Sequence, residues 1–278
     1  MTLFANLDLA RRLEDADAWF KVAYAEAQVA LDPGVGATME AVGGGYAAYV
    51  GSRSPLSRAV GLGMHGPVSA DEMERVERFF HARGAVARID LCPLADLSLV
   101  TWLNAHGYQL AEFKNVWVLP LSDDNTFRLP ESLTVRPADG SEGGLWVQTV
   151  SQGFTEQETL APEDLSIARP TFQMSTATPF LAWLDGEPAG GAAMATCQGL
   201  AAFFSASTRP AFRGRGVQTA LLHARLAAAA AAGCDLVTVQ TTPGSDSQRN
   251  VERLGFRLAY TKPTLVRAAK RTRPAPNN

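Results

Sequence analysis

The sequence predicts a mixed α/β fold of two tandem units, each a mixed, mostly antiparallel sheet flanked by helices. Two observations predict this fold. Apolar residues recur at helical spacing in some stretches and form short strand-like runs in others. In addition, the final part of each half follows the same order of helix, strand, short helix and strand. This repeated order indicates an internal duplication.

The repeat is clearest at the end of each half. In the second half, a helix ends at Gly233, CDLVTVQTTP forms a strand, GSDSQRNVERLGF forms a short helix that ends at Gly255, and RLAYTKPTLVR forms the last strand. In the first half, ADEMERVERFFHARG ends at Gly84, AVARIDLCP forms a strand, LADLSLVTWLNAHGY contains a short helix that ends at Gly107, and QLAEFKNVWVLPL forms the last strand. The segments GYQLAEF and GFRLAYT are the most alike.

Other helices and strands precede the repeat. The first unit opens with the helix LARRLEDADAWFKVAYAEAQVAL and the strands GGYAAYVG and SRAVGLG. The second opens with the strand LTVRPAD, the helix GLWVQTVSQGF and a polar segment, EQETLAPEDLSIARP, predicted to be a mobile loop with a helical turn. Three strands follow in PFLAWLDGEPAGGAAMATCQGLAAFFSAST, where DGEP favours a hairpin turn. The polar stretch from Leu121 to Ser132 predicts a boundary between domains of residues 1–122 and 131–270.

Composition excludes several classes of function. The formal charge of −3 and the pI near 5.8 argue against a nucleic-acid or anionic-membrane partner. Acidic residues near the start argue against a signal peptide, so we expect a cytoplasmic protein. Cys92, Cys197 and Cys234 are far apart and form no CxxC pair, which predicts reduced thiols and no metal site.

A glycine- and arginine-rich stretch, STRPAFRGRGVQTALL, precedes an alanine-rich helix. The first turn of a helix presents backbone N–H groups without intrahelical partners, and an anion binds readily there. Gly214 and Gly216 allow a ligand to approach the backbone, while Arg213 and Arg215 suit phosphate. The alternative is a glycine turn with two solvated arginines.

Two other phosphate-binding loops fit this stretch poorly. A Walker loop needs a lysine, and none is present here. A dinucleotide-binding fingerprint needs a third glycine or alanine where Thr219 stands, and an acidic residue at the end of the next strand, whereas Asp235 stands at its beginning.

Residues 133–267 resemble the GNAT superfamily of acyl-CoA-dependent N-acetyltransferases. The family's Arg/Gln-x-x-Gly-x-Gly/Ala loop is matched by Arg213 and Gly216, with Gln218 at the sixth position, and SQRNVERLGF is similar to a second family motif. The resemblance implies acetyl-CoA as cosubstrate, with its thioester beside the strand from Phe203 to Thr208. It also implies a set of cofactor-binding residues: Ser207, Thr208, Arg213, Gly214, Arg215, Gly216, Val217, Gln218, Thr219, Ser247 and Asn250.

The first unit has LGMHGPVS where this loop would be. It contains no arginine there, and we expect Pro67 to remove a donor N–H group. The first unit therefore resembles a GNAT-like domain that has lost its cofactor site, and we expect one active site per chain.

Residues for proton transfer are less evident. No aspartate or glutamate lies between Glu187 and Asp235, so the acidic candidates are in the polar segment, with Glu158 among them. The family's helix tyrosine is replaced by Val251, and Tyr260 on the next strand is the nearest substitute. The alternatives are a solvated loop for Glu158 and a packed strand residue for Tyr260.

The sequence thus predicts an N-acetyltransferase that moves an acetyl group from acetyl-CoA to a primary amine of a small-molecule or peptide acceptor. The first domain would shape the acceptor cleft or a dimer interface, and the chain would be a monomer or a homodimer. Two alternatives remain: a non-catalytic acyl-CoA-binding sensor or scaffold, and a general nucleotide-binding α/β domain.

Overall fold

The structure, a computed structural model, describes residues 4–121 and 132–267. Its strands are β1 (Thr38–Val42), β2 (Gly45–Tyr49), β3 (Arg58–Val60), β4 (Arg88–Asp90), β5 (Gln109–Pro120), β6 (Leu133–Pro137), β7 (Ala177–Leu184), β8 (Glu187–Cys197), β9 (Leu200–Thr208), β10 (Leu236–Thr241) and β11 (Arg257–Val266). Its α-helices are α1 (Leu7–Leu31), α2 (Ala70–His81), α3 (Leu97–Ala105), α4 (Gly143–Thr155), α5 (Ala168–Gln173), α6 (Val217–Ala231) and α7 (Asp246–Arg253).

The predicted helices and strands are confirmed. The turn between β7 and β8 has positive φ at Asp185 (55°) and Gly186 (82°), which suits a two-residue hairpin. The polar segment contains a 3₁₀ turn, Pro162–Leu165, followed by α5. Strand β1 was not predicted, because its residues show no clear alternation in the sequence.

The strands form one continuous sheet in the order β1-β2-β3-β4-β11-β5-β10-β9-β8-β7-β6. Within the described residues, β3 and β4 are parallel, as are β9 and β10, and the other neighbouring strands are antiparallel. The expectation of a mixed, mostly antiparallel sheet is confirmed. In each half, a helix links the two parallel strands: α2 in the first half and α6 in the second.

The two halves exchange their last strands. Strand β5, from the first half, pairs with β10 of the second half, and β11, from the second half, pairs with β4 of the first. Strands β5 and β11 also pair with each other at the centre of the sheet. Each half therefore needs the other to complete its sheet. Residues 122–131, which make up most of the predicted boundary from Leu121 to Ser132, lie outside the described residues, so the division into domains stays a prediction.

Helices cover both faces of the sheet. On β5, Val116 and Val118 pack in a cluster that includes residues of α1, whereas Trp117 packs in a cluster with residues of α6 and α7. Since neighbouring strand residues point to opposite faces, α1 and α6 lie on opposite sides. Helix α5 contacts both α1 and α4, which places these three helices together. The cavity described below opens beneath them.

Candidate active site

The glycine-rich stretch is a turn that leads directly into α6. Gly214 and Gly216 have positive φ values of 73° and 84°, and α6 begins at Val217. Gly216 is the N-cap residue, and no side chain caps this helix. The first-turn N–H groups therefore lack the side-chain acceptor that usually satisfies them, as expected for a helix terminus that binds an anion.

Two arginines flank this terminus, and each faces an exposed carboxylate. An Nη atom of Arg213 lies 2.9 Å from Glu156 and another donates to the carbonyl oxygen of Gly153 at 3.2 Å. An Nη atom of Arg215 lies 2.6 Å from Asp185. Because exposed ion pairs contribute little free energy, a phosphate can replace both carboxylates.

The remaining predicted loop residues have mixed roles. Gln218 donates from its side-chain amide to the Thr208 hydroxyl at 2.9 Å, which ties α6 to the end of β9. Val217 is buried and packs in the core, whereas Thr219 is exposed in the first turn. The Ser207 hydroxyl donates to the carbonyl oxygen of Val150 at 2.8 Å, so it is engaged with α4.

Two other predicted residues lie on α7. Ser247 is exposed and Asn250 is half-buried. They are three residues apart and so share one side of the helix. Within the described part of the chain, no hydrogen bond joins either residue to the loop before α6. Their part in cofactor binding stays a prediction.

The expectation for Pro67 was wrong. Helix α2 begins at Ala70 with Ser69 as its N-cap, so Pro67 lies before the helix and removes none of its first-turn donors. This terminus instead carries a capping box, in which the Ser69 hydroxyl accepts from the Glu72 N–H at 3.3 Å and Glu72 accepts from the Ser69 N–H at 2.8 Å. The first half thus has a capped helix at the equivalent position.

Strands β9 and β10 separate halfway along their length. Their paired residues run from Leu200 to Phe203 on β9, although β9 continues to Thr208. A bulge beyond Phe204 disturbs the pairing with β8, and Ser205 has a positive φ of 50°. A bulge leaves backbone groups outside the ladder, so this part of β9 can offer N–H groups to a ligand.

A cavity of about 590 Å³ lies at this opening. Strands β9 and β10 line it with Phe203, Ser205 and Gln240. Helices α1, α4 and α5, the 3₁₀ turn and strands β5 and β11 also contribute to its wall. Since α1 belongs to the first half of the chain, both halves build this cavity.

Tyr260 lines the cavity, and Glu158 does not. The Tyr260 hydroxyl is buried and donates to a carboxylate oxygen of Glu14 at 2.8 Å. Burial, together with the charge of Glu14, raises the pKa of Tyr260 far above its usual range, so it stays protonated. Glu158 instead accepts from an Nη atom of Arg209 at 3.0 Å.

Three charged residues of α1 also line the cavity: Glu14, Asp17 and Lys21. The buried Lys262 on β11 binds both acids, at 3.0 and 3.1 Å from the Glu14 oxygens and 2.8 Å from Asp17. Although burial alone would raise the pKa of Asp17, the charges of Lys262 and Lys21 hold it well below its usual range. Sequence reasoning did not single out these residues. A signal was present, since the spacing of these three charged residues places them on one face of α1.

Residues 146–256 match the model of the acetyltransferase (GNAT) family. This part of the chain is therefore similar to a GNAT domain. The match includes the turn before α6, strands β9 and β10, and all of α7. No curated protein sequence matches the chain.

Solved structures with a GNAT fold extend the likeness over both halves. A GCN5-related N-acetyltransferase from Kribbella flavida superimposes with a TM-score of 0.64 at 19% identity, covering 89% of this chain and 96% of that one. A tandem GNAT protein from the clavulanic acid biosynthesis pathway gives 0.60 at 14% identity, covering 95% and 96%. A GCN5-related N-acetyltransferase from Sphaerobacter thermophilus gives 0.55 at 17%, covering 76% and 71%. The chain therefore has a tandem GNAT fold.

Two further properties concern metal binding and membrane crossing. Across residues 4–121 and 132–267, no group of three or more histidine, cysteine, aspartate or glutamate side chains is placed to hold a metal ion. In the same ranges, no helix has both the length and the apolar character needed to cross a membrane. Cys92, Cys197 and Cys234 are free thiols, as predicted.

Proposed function

We propose that the protein is an N-acetyltransferase that moves an acetyl group from acetyl-CoA to a primary amine. The observation that carries this proposal is the position of two features along one strand. The bulge of β9 opens into the cavity, and the same strand leads into the uncapped terminus of α6. A cosubstrate with a pyrophosphate at one end and a thioester at the other needs such a pair of sites.

The residues present fit acetyl-CoA. A side chain at Gly214 would meet no protein atom within 4 Å, so space is open above the turn, and the first-turn N–H groups of α6 are uncapped. Arg213, Arg215 and this turn would hold the pyrophosphate. Acetyl-CoA supplies an acetyl group activated as a thioester, and N–H groups of β9 near Ser205 would polarise its carbonyl.

The chain's own residues can also serve as proton acceptor and proton donor in the reaction. The amine must lose a proton, and the departing thiolate needs a donor or solvation. Tyr260 and Glu14 both line the cavity and share a hydrogen bond of 2.8 Å. Burial raises the pKa of Glu14, which makes it a better proton acceptor near neutral pH. We assign the base role to Glu14 and the donor role to Tyr260.

The first half contributes α1 to the cavity wall. This contact supports a role for the first half in shaping the acceptor cleft, rather than only a dimer interface. A cavity of about 590 Å³ suits a small molecule or the end of a chain. We therefore propose a small amine as the acceptor.

Calorimetry with acetyl-CoA, followed by a thiol-release assay on an amine panel, tests the proposal. We expect binding and amine-dependent release of CoA. In Tyr260→Phe, which keeps the ring, we expect kcat to fall about tenfold or more with little change in CoA affinity. Tighter binding of ATP or NAD than of CoA would contradict the assignment of the site.

A non-catalytic acyl-CoA sensor is the second candidate. One observation favours it. Tyr260 is the only tyrosine of β11, its hydroxyl is already hydrogen-bonded to Glu14, and its strongly raised pKa makes it a weak acid. Binding of acetyl-CoA without turnover of any amine, and without slow hydrolysis, would identify the protein as a sensor.

A further inference from the structure

Lys21 lines the cavity from α1 and has no hydrogen bond or close ion pair with another described residue. The neighbouring cations differ. Lys262 binds Glu14 and Asp17, and Arg58 binds Asp90 at 3.0 Å. Lys21 is thus the cation on the cavity wall that is left for a ligand.

The nearby carboxylates are already occupied. Asp17, the acid closest to Lys21 along α1, has an oxygen 2.8 Å from Lys262. Asp90 accepts from Arg58, Lys114 and the Thr264 hydroxyl. Burial lowers the pKa of Lys21 to about 8, as expected for an ammonium group that is partly removed from water without a directly paired anion. A bound anion would offset the free-energy cost of burying this charge.

A second, independent observation comes from Ser151 on α4. This residue lines the same cavity and is only 2% exposed. Its hydroxyl is buried and has no hydrogen-bond partner among the described residues. Buried hydroxyl groups in native proteins nearly always have a partner, so this one indicates a polar group of a ligand.

The remaining wall suggests the shape and charge of that ligand. Leu13, Phe20 and Phe204 make much of the surface apolar. Glu163 and Asp164, in the 3₁₀ turn, also line the cavity, and their charges favour an ammonium group over a second anionic group. An anionic group, an apolar body and an amine are the features of an amino acid.

We propose that the acceptor is a free amino acid with an apolar side chain, whose carboxylate is held by Lys21 and Ser151. This inference rests on the proposed function, because it assumes that the cavity receives the acceptor. The amine then faces the opening between β9 and β10, on the side where β9 carries its bulge. The carboxylate lies towards α1, so the first half of the chain selects the acceptor.

The first experiment compares acceptors that differ only at the carboxylate. Leucine and phenylalanine are assayed beside their amides and the corresponding decarboxylated amines. We expect the wild-type kcat/KM to be at least about tenfold higher for the acids, as for a charge-assisted hydrogen bond. Lys21→Met should lose this preference mainly through a higher KM for the acids, whereas Lys21→Arg should keep part of it. Equal preferences in the wild type and Lys21→Met would overturn the inference.

A matched control removes a positive charge elsewhere. Arg78→Met, on the exposed side of α2, removes a cation that pairs with Glu74 at 3.3 Å and lies outside the cavity lining. This variant should retain the wild-type preference. If it changed the preference as much as Lys21→Met, net charge rather than local binding would explain the effect, and the inference would fail.

The second experiment does not need turnover. N-acetylleucine is titrated by calorimetry into the protein saturated with CoA, and its affinity should fall at least about tenfold in Lys21→Met and about threefold or more in Ser151→Ala. Binding of this probe without turnover of any amine would sustain the Lys21 site while the proposed function fails. Turnover of amines at a rate that depends neither on the acceptor's carboxylate nor on Lys21 would support the proposed function and overturn the Lys21 site. CoA affinity, measured in parallel, should be unchanged in both variants.

Discussion

Helices α2 and α6 occupy equivalent places in the two halves, since each links a pair of parallel strands, but their first turns differ. The first turn of α2 already contains a carboxylate, that of Glu72. It accepts from the backbone N–H groups of Ser69 at 2.8 Å and of Gly43 at 3.2 Å. These hydrogen bonds, with that from the Ser69 hydroxyl, lower the pKa of Glu72 and keep it charged. The first turn of α6 has no such cap.

This difference shows how one scaffold can keep or lose an anion site. The fold supplies donors and a positive dipole end at both helices. In the first half the carboxylate of Glu72 occupies the first turn, whereas in the second half the first turn has no side-chain cap and is the proposed phosphate site. Loss of the site therefore requires a change of cap, with no change in the order of the elements.

The largest effect is expected from removing the cations beside α6. In Arg213→Ala with Arg215→Ala, CoA affinity should fall about a hundredfold, because two sets of charge-assisted hydrogen bonds to phosphate are lost. Calorimetry with CoA measures this change. Arg75→Ala with Arg78→Ala, on α2, is the matched control and should bind CoA as the wild type does. Equal loss in both double variants would remove the distinction between the two helices.

A smaller effect is expected from pH on the acceptor side. The pKa of Lys21 is lowered to about 8, so its charge is present below pH 8 and is lost as the pH rises through that value. Affinity for N-acetylleucine should therefore fall up to about tenfold for each pH unit above 8. Other charged groups face Lys21 or line its cavity: Glu14, Asp17, Arg58, Asp90, Lys114, Glu163 and Asp164.

Calorimetry between pH 7 and pH 9.5 checks this pH dependence. In Lys21→Arg the decline should vanish, because a guanidinium group stays charged over the whole interval. A decline of the same size in Lys21→Arg would assign the titration to another group. CoA affinity in the same pH interval should not change with the titration of Lys21, since the proposed pyrophosphate site lies in the other half.

The smallest effect is expected at the capped helix. Ser69→Ala removes the side-chain acceptor of the α2 capping box and should lower the free energy of unfolding by about 1 kcal/mol. Denaturant unfolding measures this loss. CoA affinity should be unchanged, because the proposed pyrophosphate site is at α6. A clear change in CoA affinity would show that the first half is not merely a capped counterpart of the second.

The sequence predicted much of this fold but not how the halves combine. Helix ends at glycines and the DGEP turn depend on local backbone preferences, so they could be recognised from a few residues. The exchange of β5 and β11 could not, since strand pairing over such distances leaves no local signal. The turn before α6 was predicted by composition and spacing. The place of Lys21 in the acceptor wall was not, because Lys21 and Tyr260 line one cavity only after α1 packs against the exchanged strand.

The central claim is that the uncapped first turn of α6 is the site of the CoA pyrophosphate. Thr219 is exposed at the third position of this helix, where α2 carries Glu72. Thr219→Glu should preserve or slightly raise stability, since an acid suits a helix N-terminus, while its charge opposes a phosphate. Thr219→Gln is the neutral control.

The most direct measurement is the CoA affinity of these two variants, with their thermal unfolding recorded in parallel. The account predicts that Thr219→Gln binds CoA within about threefold of the wild type and that Thr219→Glu loses about tenfold or more, with both proteins equally well folded. Wild-type CoA affinity in a folded Thr219→Glu variant would contradict it.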